Sequence, residues 1–228
     1  MKYTWDITNK ATYNNRYGRY KFKKEYQFIL SQFKNVVNML DVAGGSGRFA
    51  IPLSTHCNNI TVIDINSEAL ELLMSRNASI KVIKGDFMTV HIDNKFSFLL
   101  CIEALNYFSD YDSFFEKINS LLDENGSFVF LAVNPSSWRF LARKLNKNRE
   151  DYGELGIEEI KCSLQRNKLE IKKIKGFNWI PLPLTMSNSF LISVFAILEK
   201  IFFLENWLTQ SPWLLISVVK NNSDVFNK

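Results

Sequence analysis

Residues 38–50 read Asn38-Met39-Leu40-Asp41-Val42-Ala43-Gly44-Gly45-Ser46-Gly47-Arg48-Phe49-Ala50, and this stretch decides the fold. Its apolar first part predicts a buried strand, its glycines predict a tight turn, and the residues after the turn predict a helix start. Glycine adopts positive φ without strain and lacks the Cβ atom that would keep a ligand away from the backbone. The free N–H groups at the start of a helix can face a polar cofactor. The stretch therefore predicts a nucleotide-type binding site.

Apolar runs on both sides of this loop predict a sheet whose strands alternate with helices. Strands are expected at residues 36–42, 60–65, 80–83, 96–102, 127–133, 169–177 and 213–219. Helices are expected at residues 48–55, 67–76 with Ser67 as cap, 111–122, 137–147, 156–167 and 190–198. This alternation is typical of a parallel α/β sheet, in which ligands bind outside the carboxyl ends of the strands. The residues expected at that edge are Gly44, Asp64, Asp86 and Glu103.

The composition indicates one ordered globular domain. With 228 residues, of which 46% are hydrophobic, the chain is long enough to bury a full core. The first residues lack the apolar core of a signal peptide, which favours a cytoplasmic location. Cys57, Cys101 and Cys162 are widely separated, so we expect free thiols and no metal site.

The net charge of +5 is unevenly distributed. The first 34 residues are basic, and a second basic cluster without an acid lies at residues 139–149. Such clusters form a solvated helix face or bind an anionic substrate, a membrane surface or nucleic acid, and the sequence leaves these alternatives open. The apolar run at 190–198 falls short of the ~20 residues that cross a bilayer.

Three carboxylates narrow the class of ligand. Asp64 ends the second predicted strand. An acid that accepts hydrogen bonds from a ribose follows such a loop by about 20 residues, which is close to the position of Asp64. The glycine pattern also fits a nicotinamide dinucleotide fold, but Asp41 would repel a pyrophosphate and favour a cationic ligand. Asp86 after the third strand offers an acceptor for an adenine amino group, and Phe87 offers an aromatic neighbour for its ring.

Together these residues resemble the class I S-adenosylmethionine-dependent methyltransferases. The similar segments, in chain order, are residues 40–47, 63–64, 85–87, 96–105 and 121–135. Ala43 stands where these enzymes usually have a glycine, and Ser97 replaces a frequent aspartate. The resemblance covers residues 35–135 and extends loosely to 220 through the closing strand pattern.

The resemblance implies an α/β fold, a Rossmann-like three-layer sandwich with a seven-stranded, mostly parallel sheet and an antiparallel last strand. It implies a helical cap at residues 1–34 and a methyltransferase domain at 35–228, with an acceptor-side insertion at about 177–211. It also implies S-adenosyl-L-methionine as the cofactor. The residues expected to bind it are Asp41, Ala43, Gly44, Gly45, Gly47, Asp64, Ile65, Asp86, Phe87 and Cys101.

The methyl group of a sulfonium is already activated, so the protein must mainly align an acceptor, and a dedicated base is optional. Glu103 is the best-placed acid or base, with helix capping or a cofactor contact as the competing role. Asn106 and Tyr107 follow the fourth strand, and Tyr17 lies in the N-terminal segment that often covers the cofactor in related enzymes. These three residues are the candidates for substrate binding, and a surface position is favoured over a base for His91.

The predicted function is methyl transfer to an O, N or C atom of a small molecule, with an apolar or amphiphilic acceptor favoured. The alternatives are methylation of RNA, nicotinamide oxidoreduction, and a non-catalytic methyltransferase-like protein that contacts membranes through residues 139–149 and 190–204. The chain carries no RNA-binding motif, so a nucleic-acid partner is not favoured. The sequence leaves the oligomeric state undetermined.

Overall fold

A computed structural model describes residues 6–140 and 155–221. Its strands are β1 (Asn38–Val42), β2 (Asn59–Asp64), β3 (Lys81–Lys84), β4 (Phe96–Cys101), β5 (Leu122–Val133), β6 (Leu169–Phe177) and β7 (Trp213–Lys220). They form one seven-stranded sheet in the order β3-β2-β1-β4-β5-β7-β6.

The first five strands are parallel, and β7 runs antiparallel to both of its neighbours, β5 and β6. This confirms the mostly parallel seven-stranded sheet with an antiparallel last strand. The register of β1 places Asp41 between Val62 of β2 and Leu100 of β4. Strand ends agree closely with the prediction except in β5, which begins at Leu122 because its ladder continues through the predicted turn.

The helices are α1 (Arg16–Gln32), α2 (Ala50–Leu53), α3 (Ser67–Arg76), α4 (Tyr111–Leu121), α5 (Ile157–Arg166) and α6 (Leu191–Ile201). The helix predicted at 48–55 is only the short α2, because the glycine loop continues as turns up to Phe49. The cap of α3 is Asn66, not Ser67, since the Asn66 side chain accepts the Ala69 N–H at 3.0 Å. Most of the helix predicted at 137–147 lies outside the described residues.

The core consists of two layers, one on each face of the sheet, because successive strand side chains point to opposite faces. Leu40 and Leu99 face the layer formed with α4 and α5. Met39 and Phe98 face the layer formed with α1, α3 and α6. Helices on both faces complete the predicted three-layer sandwich. Among the described residues, no helix is long and apolar enough to cross a membrane.

Candidate functional site

The glycine loop lies at the carboxyl end of β1 and turns by means of left-handed residues. Ala43, Gly45 and Gly47 have φ values of 54°, 55° and 81°. A non-glycine residue in this region costs roughly 1–2 kcal/mol, so Ala43 carries strain that a glycine would avoid. A Cβ atom on Gly44 would lie 2.6 Å from Cγ of Asp41, so this glycine is required by the close approach of the loop to that carboxylate.

Asp64 joins the glycine loop to the turn that follows β2. Its Oδ2 atom accepts a hydrogen bond from the Gly45 N–H at 2.9 Å, and its Oδ1 atom accepts one from the Asn66 N–H at 2.8 Å. Ile65, the next residue, is exposed at this edge of the sheet. The structure therefore brings together the loop and the acid that the sequence predicts as partners.

Asp41 is a buried carboxylate with an unpaired oxygen. It is 2% exposed, and its Oδ2 atom has no hydrogen-bond partner. Burial, followed by the negative charge of Asp64, raises the pKa of Asp41 to about 8, although Arg48 opposes the shift. A positive group placed beside this oxygen would relieve both effects. The loop and Asp41 thus fit a ligand that carries a sulfonium or an ammonium.

Replacing Asp41 by asparagine is expected to stabilise the free protein and weaken cofactor binding. The carboxyl ionises near pH 3.8 in the unfolded chain and near pH 8 in the folded one, so the folded state retains a proton between these values. Stability therefore falls as the pH rises through this interval. We expect Asp41→Asn to raise the free energy of unfolding by about 1–3 kcal/mol at about pH 9 and by little at about pH 4, measured by urea unfolding. An increase in the free energy of unfolding of equal size at both pH values would contradict the raised pKa of Asp41.

Asp86 and Phe87, which follow β3, differ in exposure. Asp86 is exposed, and its Oδ1 atom accepts the Met88 N–H at 2.9 Å. The Phe87 side chain is 4% exposed and packs edge-on against Phe108 and Phe114 in the core. The ring is therefore largely enclosed by other aromatic residues, and its expected place as a neighbour of an adenine ring stays a prediction.

Glu103 follows β4 in a left-handed conformation with φ of 58° and points into a cluster of donors. Its carboxylate lies 2.8 Å from Nζ of Lys21 and 3.0 Å from Nη1 of Arg48. It also accepts a hydrogen bond from the Tyr13 hydroxyl at 3.0 Å. Burial would raise the pKa of Glu103, but the two cations outweigh burial and lower it below its ordinary value. A carboxylate in this state is a weak general base.

The ion pairs extend to residues that sequence reasoning did not single out for the site. Arg48 lies between Glu103 and Glu25, with its Nη2 atom 2.5 Å from Oε2 of Glu25, and its guanidinium stacks 4.2 Å from the centre of the Tyr13 ring. Glu25 is fully buried, and burial raises its pKa although Arg48 opposes the shift. The sequence did contain one indication of a buried ion pair, because Glu25 is the only acid in the basic helix α1. This cluster ties α1 to the glycine loop and to the end of β4.

The candidates for substrate binding lie around the same edge. Asn106 and Tyr107 belong to a short 3₁₀ turn, Leu105–Tyr107, and Tyr107 is 66% exposed. The pKa of Tyr107 is raised by partial burial and then by the negative charges of Glu103 and Asp64. Tyr17 instead donates to Oδ1 of Asn178 at 2.7 Å, which links α1 to the segment after β6.

Cys101 ends β4 as a fully buried thiol whose pKa is raised by burial and by Asp41. The two histidines of the chain lie away from this site. His56 precedes β2 and the exposed His91 precedes β4, so both are at the edge where the parallel strands begin. Neither histidine is placed to act as a base at the carboxyl ends of the strands.

Two small depressions lie near the carboxyl end of β5, and most of the residues that line them are apolar. The first is lined by Leu105, Asn106, Tyr111, Leu131, Ala132, Val133, Leu155 and Ile160. The second is lined by Val133, Ser137, Arg139, Phe140, Pro212 and Trp213. Both lie on the side of the sheet edge opposite β2 and β3, where an acceptor could approach without displacing a ligand of the glycine loop.

The sheet order, the reversed β7, the glycine loop and its paired acid are those of the class I methyltransferase fold. Residues 40–130 match the protein family described as a methyltransferase domain. The domain match and the fold together support an S-adenosylmethionine-dependent methyltransferase.

Curated relatives include the ubiquinone biosynthesis O-methyltransferase of Rickettsia prowazekii (strain Madrid E), which is 24% identical over 196 residues, or 76% of this chain and 78% of that protein. The protein of the same name from Rickettsia typhi (strain ATCC VR-144 / Wilmington) is 25% identical over 77% of this chain and 78% of its own length.

Solved structures confirm the fold. An S-adenosylmethionine-dependent methyltransferase from Clostridium acetobutylicum ATCC 824 superposes with a TM-score of 0.63 at 17% identity, covering 88% of this chain and 92% of that one. The N-methyltransferase NodS from Bradyrhizobium japonicum WM9, in complex with S-adenosyl-L-homocysteine, also gives a TM-score of 0.63, at 16% identity, covering 95% and 91% of the two chains.

Proposed function

We propose that this methyltransferase acts on a hydroxyl oxygen of a small phenolic or enolic acceptor that carries an apolar portion. One observation favours an acceptor with an acidic hydroxyl. Glu103, the best-placed base, is paired with Lys21 and Arg48 and is therefore a poor acceptor of a proton. The Rickettsia relatives are named as O-methyltransferases of ubiquinone biosynthesis, which supports oxygen as the acceptor atom.

S-adenosylmethionine supplies, when bound, a methyl group on a sulfonium that needs no further activation. Asp64 would accept hydrogen bonds from the ribose, and Asp41 would face the positive part of the methionine. The exposed carboxylate of Asp86 would accept from the adenine amino group. The loop backbone at 43–47 would approach the ligand closely, with Ile65 and Cys101 beside it.

Among the described residues, Glu103 is held by two cations and neither histidine lies at this edge, so the acceptor would lose its proton without their help. An alkyl hydroxyl resembles water, whose pKa is about 15.7, whereas a phenol ionises near 10. Lys21 and Arg48 are buried cations at this edge and would favour the anionic form of an acceptor oxygen. The site therefore suits an acceptor hydroxyl that is itself acidic.

The acceptor would lie between the N-terminal cap at residues 1–34 and the insertion at about 177–211. The hydrogen bond from Tyr17 to Asn178 already connects these two segments. The depression lined by Arg139 and Trp213 lies next to this junction, because Arg139 also donates a hydrogen bond to the Tyr17 hydroxyl. The lining of both depressions supports an apolar or amphiphilic acceptor, with Asn106 and Tyr107 as its polar contacts.

Matched acceptors test the proposal. We expect a catechol with a short alkyl chain to gain one methyl group on oxygen, measured by mass spectrometry after incubation with S-adenosylmethionine. An alkanol with the same chain is expected to react at least about 100-fold more slowly, because its hydroxyl ionises far less readily and Glu103 is held by cations. The aniline with the same alkyl chain tests methylation of nitrogen, and a short RNA tests methylation of nucleic acid. Methylation of the aniline or the RNA in preference to the catechol would contradict the proposal.

A further inference from the structure

Helix α6 exposes a continuous row of apolar side chains. Phe190, Val194, Ile197 and Ile201 follow one another at helical spacing and are 67%, 41%, 59% and 59% exposed. Three further exposed apolar residues follow in the sequence just after the helix, Phe202, Phe203 and Trp207, which are between 60% and 68% exposed. We call these seven residues the α6 ridge. A contiguous apolar surface of this kind marks a binding surface, in contrast to single exposed apolar residues such as Val37.

The opposite face of α6 is anchored in the protein. Ile192 is 1% exposed and belongs to the core layer. Glu199, also 1% exposed, accepts a hydrogen bond from the Tyr20 hydroxyl and lies 3.1 Å from Nζ of Lys24 on α1. Rotating the helix to bury the ridge would break these buried polar contacts, which is costly in a low-dielectric interior. The anchoring therefore keeps the ridge on the surface.

The exposed charges of the two helices beside the ridge have one sign, and Glu205, which lies next to the ridge, is paired with Lys175. Helices α1 and α6 pack against each other, and their exposed cations are Arg16, Arg19, Lys23 and Lys200. The only carboxylates of these two helices, Glu25 and Glu199, are both buried and paired with cations. The two helices consequently expose positive charge with no exposed acid to offset it.

We propose that the α6 ridge docks this protein onto the surface of an anionic lipid bilayer. An amphipathic helix that lies in the membrane interface buries aromatic and aliphatic side chains while cations meet the lipid phosphates. Trp207 and the phenylalanines are residue types that favour this interface. A second copy of the chain fits less well, because a two-fold contact through the ridge would bring the same basic helices together. The proposal does not depend on which acceptor is methylated.

Vesicle flotation with the full chain tests the docking surface. We expect binding to vesicles of phosphatidylcholine with phosphatidylglycerol, and weaker binding to phosphatidylcholine alone. The triple variant Ile197→Ser, Ile201→Ser, Phe203→Ser is expected to lose at least about tenfold in partitioning, because each side chain gives up apolar burial. The charge variant Lys23→Glu, Lys200→Glu is expected to lose about fivefold for each cation on the anionic vesicles only. Val37→Ser, which removes an exposed apolar side chain elsewhere, serves as the matched control.

A second measurement uses the unmodified chain and one conservative substitution of an exposed residue. We expect brominated phospholipid in the anionic vesicles to quench tryptophan fluorescence of the unmodified chain, and Trp207→Phe to remove most of that quenching. Absence of binding to either vesicle, or equal binding by the triple variant, would overturn the proposal. Light scattering that shows a lipid-independent dimer, lost in the triple variant, would overturn it in favour of self-association.

Discussion

Replacing Arg48 by methionine is expected to destabilise the protein by about 3–5 kcal/mol, which is the usual cost of removing one partner from a buried ion pair. Arg48 is 8% exposed and lies between the carboxylates of Glu25 and Glu103. Without it, Lys21 alone would neutralise two buried acids. Urea unfolding of the variant and the parent at neutral pH measures the difference.

A more exposed arginine pair provides the control for Arg48. Arg166 lies 2.9 Å from Asp112, but the two side chains are 61% and 51% exposed, so Arg166→Met is expected to cost at most about 1 kcal/mol. The double variant Arg48→Met, Glu25→Gln also removes one of the buried charges that lose their partner. It is expected to recover part of the lost free energy of unfolding. Equal effects of Arg48→Met and Arg166→Met would show that the buried cluster does not hold α1 to the glycine loop.

Replacing Asp64 by alanine is expected to lower the affinity for S-adenosylmethionine and S-adenosylhomocysteine at least about 100-fold. The variant loses a carboxylate that would accept from the ribose, where a hydrogen bond to a charged group contributes roughly 1.5–3 kcal/mol. It also leaves the Gly45 N–H without the partner that holds the loop, so the loss exceeds a single hydrogen bond. Isothermal titration calorimetry with both ligands measures the effect.

Asp93→Ala is the matched control for Asp64→Ala. Asp93 is 84% exposed at the edge where the strands begin, away from the glycine loop, and its removal should leave the affinity unchanged. Unchanged affinity in Asp64→Ala itself would refute the position assigned to the cofactor. Thermal unfolding of both variants separates a binding defect from a folding defect.

The sheet and the glycine loop were predictable because their signals are local. Apolar strand runs, the glycines at 44–47 and the acid at the end of β2 lie within short segments whose geometry follows from backbone chemistry. The direction of individual side chains was less predictable. Phe87 follows the predicted acid, yet its ring packs against Phe108 and Phe114 because the core offers more apolar burial than the edge of the sheet.

The sequence by itself determined the fold class and the place of the cofactor loop, since Asp41, Gly44 and Asp64 belong to two adjacent strands and their turns. Only the tertiary structure decided the state of Glu103, because Lys21, Glu25 and Arg48 reach it from distant parts of the chain. Charges separated in sequence determine one another's pKa only when folding brings them together out of water. The outward direction of the α6 ridge was decided in the same way, by the buried contacts of Glu199 with α1.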